Sequence, residues 1–246
     1  MLLYGGTGAE MSMYRERAEL YDLIYAWKDY AGEIDRLHAI IGELGIPDGA
    51  ALLDAACGTG RHLAGLAAWY RTAGFDGSEA MIAIARQRLS CPLWGADLAA
   101  FEVPEPVDVA TCLFSAIGYL PDEAALRASA ACFAAAVRAG GIVLIEPWFT
   151  AEHWDHGRPF AQAANSNDLS AARVNVADLD GEHSVLNLHW YVVPRGGPVE
   201  TFVEHHRMWL CPHATLIAAF EDAGFTTRIE PHGLMRDRGL LIGVRR

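Results

Sequence analysis

Apolar positions recur along this chain in two rhythms, and the change between them divides it. Between residues 50 and 149, short unbroken apolar runs alternate with helical patterns. Ala51 to Leu53, Val107 to Leu113 and Ile142 to Ile145 read as strands buried on both faces. Arg61 to Tyr70, Ser78 to Arg86 and Asp122 to Arg138 carry the helical spacing between them. Shorter extended stretches end at Asp76 and run from Pro92 to Leu98. Such alternation predicts a parallel sheet with helices on both faces. From residue 168 the period drops to two: Asp168 to Val176, His183 to Val193 and Val199 to Leu210 predict an antiparallel meander, turned at Asp180-Gly181 and Gly196-Gly197-Pro198. Pro212 to Ala223 is a helix stopped by Gly224, and Phe225 to Glu230 and Gly239 to Val244 are the last strands. Upstream, residues 18–25 and 31–44 are helical, while Met1 to Met13 is Gly-rich and expected to be mobile. Four segments follow: a helical lid (1–49), an α/β core (50–149), an antiparallel insertion (150–210), and a closing helix with two strands of the core sheet (211–246).

Composition narrows the function. With 246 residues, 52% of them hydrophobic, the chain can bury a sizeable core. A net charge of −12 without any Lys/Arg cluster argues against a nucleic-acid partner. The five cysteines are scattered without a C-x-x-C pair, which suits reduced thiols in a cytoplasmic protein. No apolar run is long enough to span a membrane, so no membrane partner is expected. Ten histidines give no metal-ligand spacing, so no metal is expected.

The candidate chemistry gathers at Asp54-Ala55-Ala56-Cys57-Gly58-Thr59-Gly60, where a buried strand turns tightly into a helix. Gly58 and Gly60 permit unusual backbone conformations and a close ligand approach, and the helix N-terminus faces that ligand. Asp76, about twenty residues past the turn, is placed to hold a ribose hydroxyl pair. A pyrophosphate would need a third glycine, and His62 stands there instead. A ribose without phosphates fits better, and S-adenosylmethionine is the expected ligand. Asp97 would then accept from the adenine amine while Leu98 packs on the ring. Phe114 opens the loop at the carboxyl edge of the fourth strand, where ligands sit in such sheets. For Tyr21 and Tyr30, a lid over the ligand and aromatic packing are both open; Tyr14 and Tyr25 are expected to pack.

Asp54-Ala55-Ala56-Cys57-Gly58-Thr59-Gly60-x-His62-Leu63 resembles the glycine motif of class I S-adenosylmethionine-dependent methyltransferases. Further stretches resemble, more narrowly, the nucleotide-linked deoxyaminosugar N,N-dimethyltransferases of macrolide antibiotic biosynthesis. They include Ala18 to Asp22, Lys28-Asp29-Tyr30, Thr111 to Ser115, Glu146-Pro147-Trp148, His189-Trp190, Val203-Glu204-His205 and Arg238-Gly239-Leu240. The resemblance implies a doubly wound, Rossmann-like, seven-stranded mostly parallel sheet, with an inserted antiparallel β layer after the fifth strand, and a homodimer. It assigns Gly58 and Gly60 to the methionine part of the cofactor, Asp76 to the ribose, Asp97 with Leu98 to the adenine, and Tyr30 to the amino-acid end. Asp54, Ala56, Cys57, Gly77, Met81 and Phe114 count with these as cofactor-binding. Tyr21 and Tyr119 would flank the transferring methyl. Arg238 would contact the nucleotide part of the acceptor, with Trp148, Arg173 and Trp190 on the same side.

The reaction implied is an in-line displacement that leaves S-adenosylhomocysteine and needs a nucleophile with a free lone pair. An amine needs little help, whereas a hydroxyl needs a base, for which His189 and His205 are the candidates. Two alternatives therefore stand beside N-methylation of an aminosugar: O- or C-methylation of another natural product, and cofactor binding without catalysis. Arg238 suits an anionic acceptor, since a guanidinium donates two parallel hydrogen bonds to phosphate or carboxylate.

Overall fold

The computed structural model describes residues 18–246. Met1 to Met13 and Tyr14, for which mobility and packing were expected, lie outside the described residues. In chain order the elements are α1 (Ala18–Ile24), α2 (Tyr30–Glu43), β1 (Ala51–Ala55), α3 (Arg61–Leu66), β2 (Arg71–Asp76), α4 (Glu79–Arg88), β3 (Leu93–Gly95) and β4 (Val107–Cys112). After a short 3-10 turn at Ala116–Tyr119 come α5 (Glu123–Ala136), β5 (Val137–Ile145), β6 (Pro159–Asn165), β7 (Leu169–Asp180), β8 (His183–Pro194) and β9 (Glu200–Trp209). The chain closes with α6 (His213–Asp222), β10 (Phe225–Glu230) and β11 (Leu240–Arg245).

Seven strands form one sheet in the order β10-β11-β5-β4-β1-β2-β3, parallel except that β11 opposes both of its neighbours. This is the expected doubly wound, class I methyltransferase sheet. Successive side chains of a strand point to opposite faces, and here both faces are covered. Leu53, Ala110 and Val143 pack against Phe133 of α5 and Phe220 of α6 on one side. Leu52, Val109 and Leu144 pack against Leu37, Leu63 and Ile82 of α2, α3 and α4 on the other. Double burial is the reason these strands read as mainly apolar runs, interrupted at Asp54, Asp108 and Thr111.

The antiparallel layer after β5 is a four-stranded sheet, β6-β7-β8-β9. Its edge strand β6 was not foreseen: it opens on Pro159, has small residues at Ala161, Ala163 and Ala164, and carries no alternating pattern. An edge position tolerates the missing N–H of a first-residue proline. α5 also ends two residues earlier than expected. Val137 pairs with Val107 as strand, and the register shift that follows is absorbed at Gly140, with φ 75°.

The two N-terminal helices serve different partners. α2 lies against α3, where a Cβ added to Gly65 would meet Ile34 Cδ1 at 2.3 Å. α1 is a wedge: Leu20 and Ile24 pack into Ala171, Leu188, Trp190 and Val192 on the inner face of the four-stranded sheet. The opposite side of α1 is fixed by Asp22, which accepts from Thr59 Oγ1 at 2.8 Å and from Arg88 at 2.6 Å.

Candidate active site

The loop after β1 alternates into the left-handed region at Ala56 (φ 57°), Gly58 (φ 56°) and Gly60 (φ 76°). The two glycines do different work. A Cβ on Gly58 would meet nothing within 4 Å, because it faces an open cleft. A Cβ on Gly60 would lie 2.7 Å from Leu89 Cδ1 and 3.3 Å from Ala85 Cβ. Gly60 therefore lets the loop pack on α4 and does not line the cleft, contrary to expectation. Met81 is likewise displaced from the expected set: it sits in the first turn of α4, is fully buried and does not line the cleft.

The cleft, about 330 Å³, lies at the carboxyl ends of β1, β2, β3 and β4 and is walled by Ala56, Gly58, Asp76, Gly77, Asp97, Leu98, Phe114, Tyr21 and Tyr119. That volume suits a small ligand. Asp76 is held at its floor by two backbone donors: Gly58 N to Oδ2 at 2.8 Å and Ser78 N to Oδ1 at 2.8 Å. Burial raises its pKa to about 6, and the two amides limit the rise. Asp54, at the tip of β1, is raised further, to about 7, by burial and by Asp76, although Thr111 Oγ1 donates to it at 2.7 Å. Asp97 caps its own turn, accepting from Ala99 N at 2.8 Å.

A second small cavity continues past Gly58 and is lined by Tyr30, Asp54, Cys57, Arg61 and His62. Burial pushes the Cys57 thiol up, so it is inert here. Arg61 stacks its guanidinium on the Tyr30 ring at 4.6 Å. Behind them Glu33 joins Lys28 and His62, with His62 Nε2 2.7 Å from Oε2. Burial works against a charged Glu33, but the hydrogen bonds from His62 and Lys28 prevail and hold its pKa low. His62 is lowered by burial. The Tyr30 hydroxyl is buried without a hydrogen-bond partner among the described residues. An S-adenosylmethionine fits this donor set: a carboxylate for ribose, an apolar slot beside Leu98, and an unpaired hydroxyl next to a cation for the amino-acid end. Arg61 and His62 were not picked out as ligand residues from the sequence, because a helix's first turn there offered only the general dipole argument.

Phe114 and Ser115, both at positive φ (52° and 62°), form a strained corner after β4. Phe114 packs edge-on to Tyr25 at 4.9 Å and Tyr21 at 6.3 Å. Behind this corner lie the buried Glu146 and Arg238. Glu146 Oε2 accepts from Phe114 N at 2.7 Å, and its Oε1 has no hydrogen-bond partner among the described residues. Burial raises its pKa, against the pull of Arg238 and Lys28. Arg238 stacks on Trp148 at 4.6 Å and Phe149 at 4.9 Å, donates to Ser115 Oγ at 2.9 Å, and has an Nε without a hydrogen-bond partner among the described residues.

The remaining expected residues are not brought to the cleft. His189 and His205 lie on the exposed outer face of the four-stranded sheet, where His205 Nδ1 meets Asn187 Oδ1 at 2.6 Å. Period-two alternation turns them away, since β8 buries its even positions Leu188, Trp190 and Val192. The same alternation, carried across the register, puts His206 and Glu204 of β9 on the inner face. Trp190 is fully buried in the core under α1, and its Nε1 donates to Glu204 Oε2 at 3.2 Å. Arg173 sits there too, donating to the Tyr25 hydroxyl at 3.2 Å and to Gln162 at 2.8 Å.

Comparison with known proteins gives the same direction. Residues 52–141 match a family described as a methyltransferase domain. The chain is 34% identical, over 97% of its own length and 94% of the relative's, to the dTDP-3-amino-3,6-dideoxy-alpha-D-glucopyranose N,N-dimethyltransferase of Streptomyces fradiae. The crystal structure of DesVI from Streptomyces venezuelae superposes with a TM-score of 0.88, at 32% identity over 94% of this chain and 99% of that one. The S-adenosylmethionine-bound amino pentose methyltransferase CalS10 from Micromonospora echinaspora matches with a TM-score of 0.82, at 27% identity over 98% and 100% of the two chains.

Proposed function

Because the chain belongs to the S-adenosylmethionine-dependent N,N-dimethyltransferases of nucleotide-linked deoxyaminosugars, we propose that it methylates the amino group of such a sugar. The cofactor supplies an electrophilic methyl on sulfur. The chain's own residues bind, orient and exclude water. Asp76 takes the ribose hydroxyls, with lone pairs left after its two amide bonds. Ala96 and Leu98 flank the adenine, Asp97 lies beside it, and Tyr30 with Arg61 takes the amino-acid end. Gly58 allows close approach of the ligand to the loop, with Ala56 and Gly77 adjoining. Tyr21 and Tyr119 both line the cleft, and they position the nitrogen.

The observation that carries this reading is the make-up of the methyl-transfer end: two tyrosines and Phe114, with His189 and His205 facing outward. That wall suits an amine, whose nitrogen, once unprotonated, needs alignment behind the methyl. It gives no support to O-methylation through those two histidines. Arg238, with its unpaired Nε and aromatic stacking, supports an anionic acceptor such as a sugar diphosphate, with Trp148 beside it. Val174, Val176, Tyr191 and Val193 are exposed on the outer face of the four-stranded sheet and support pairing with a second copy. Five unpaired cysteines support a reducing, cytoplasmic setting.

The test is mass spectrometry of nucleotide-linked 3-amino and 4-amino deoxysugars incubated with enzyme and cofactor. Gain of one or two methyl groups is expected. Methylation confined to a hydroxyl acceptor would overturn the reading.

A further inference from the structure

A line of polar contacts leads from the cleft into the core. The Tyr119 hydroxyl, on the cleft wall, lies 2.7 Å from His206 Nδ1. His206 Nε2 lies 3.4 Å from Glu204 Oε2, which also accepts from Trp190 Nε1 at 3.2 Å. His206 and Glu204 are both buried, on the inner face of β9. A carboxylate facing Nε2 favours the tautomer with its proton on that nitrogen, which leaves Nδ1 to accept from Tyr119.

We propose that His206, held by Glu204, is a positioning residue that takes up, through Tyr119, the proton the acceptor nitrogen must lose. The inference rests on the aminosugar reading above. An aminosugar of ordinary basicity arrives largely as the ammonium form, whose nitrogen has no free lone pair. After one methyl is added the product is again an ammonium, so a second transfer needs another deprotonation. In each round an N–H bond breaks and its electron pair stays on nitrogen. The proton passes to Tyr119 Oη as the tyrosine's own proton moves to Nδ1, and the resulting imidazolium faces the Glu204 carboxylate. The proton leaves to solvent when product is released.

Among the described residues, the charged and titratable groups near this line include Glu204 on the same strand, Tyr119 from the turn before α5, Tyr21 of α1, Tyr25 just after it, and Arg173 of β7. The Arg173 guanidinium lies 5.4 Å from the Trp190 ring centroid.

His206→Gln keeps an acceptor for Tyr119 but cannot take a proton. At neutral pH its kcat should fall by about 100-fold, the lower end for positioned proton transfer, while cofactor affinity by calorimetry stays within about twofold. The deficit should close toward about pH 9.5, where the amine sheds its proton unaided, and singly methylated sugar should accumulate at neutral pH. Tyr119→Phe should give the same loss, and the double variant no more than either alone. Independently of turnover, nitrogen-15 spectra should show His206 protonated on Nε2, with Nδ1 shifting in Tyr119→Phe. Wild-type turnover by His206→Gln, or a deficit unchanged up to the high-pH limit, overturns the relay and leaves the function standing. A wild-type enzyme that methylates no nucleotide-linked aminosugar overturns the function, and the relay with it.

Discussion

Asp76 Oδ2 accepts the amide hydrogen of Gly58 at 2.8 Å, tying the tip of β2 to the glycine loop after β1. The carboxylate proposed to hold the ligand's ribose thus also sets the backbone against which the ligand lies. Asp76→Ala should lower S-adenosylmethionine affinity by about 1–3 kcal/mol, the scale for leaving buried polar partners unpaired. Calorimetry giving wild-type affinity would remove Asp76 from the site.

Asp54 and Asp76 are both raised by burial, to about 7 and about 6. An acid whose folded pKa exceeds its unfolded value binds more protons when folded. Its stabilisation is complete below about pH 4 and is lost as pH rises toward 7. Asp54→Asn, which keeps an acceptor for Thr111, should remove part of that slope. Its melting temperature relative to wild type should be higher at pH 8 than at pH 5. A pH-independent difference would place the Asp54 pKa in the ordinary range.

Gly58→Ala and Gly60→Ala should fail in different ways. Both force a side chain into the left-handed region, at a cost of about 1 kcal/mol. Gly60→Ala adds an overlap with Leu89 and Ala85, so it should melt at a lower temperature. Gly58→Ala should melt closer to wild type yet bind cofactor more weakly, since its methyl stands in the cleft. Thermal melts with and without cofactor would separate the two.

Tyr21 is buried among Tyr30, Tyr25 and Tyr119, and burial first, then these phenols, holds its pKa well above ordinary. It stays protonated and acts by position alone. Tyr21→Phe should lower kcat without altering cofactor affinity, and the loss should be the same at every pH. His189→Ala and His205→Ala, on the outer face, should stay within about twofold of wild-type turnover. A large loss in either would return the base to that face.

Arg238→Ala should raise the acceptor's KM and leave that of the cofactor unchanged. It also strands Glu146 without its nearest buried cation, so a lower melting temperature should accompany the kinetic change. Equal KM for charged and uncharged acceptors in wild type would show that Arg238 is structural only.

The sequence by itself determined what local physics determines. Leu52-Leu53 and Val107 to Leu113 announced doubly covered strands, because burial on both faces leaves no polar alternation. Gly58 with Asp76 announced the cleft they both line, because a close backbone approach and a carboxylate at the next strand tip each have few residue solutions. Asp97, Leu98, Phe114 and Tyr119 followed from their place at strand ends. What only the tertiary structure decided was which side chains meet across distant segments. Gly60 and Met81 share the motif's neighbourhood, but Gly60 packs on α4 and Met81 is fully buried within it. Histidines 205 and 206 are adjacent in the chain, and the sheet's alternation sends one to solvent and the other to Tyr119, 87 residues away. The inward parity of β8 was visible at Leu188, Trp190 and Val192, but its transfer to β9 depends on the pairing register. The resemblance assigns Arg173 and Trp190 to the acceptor side, whereas Trp190 packs under α1 and Arg173 bonds to Tyr25 just after it. That packing joins residues 20–25 to 164–202, a contact over a sequence separation that no local pattern encodes.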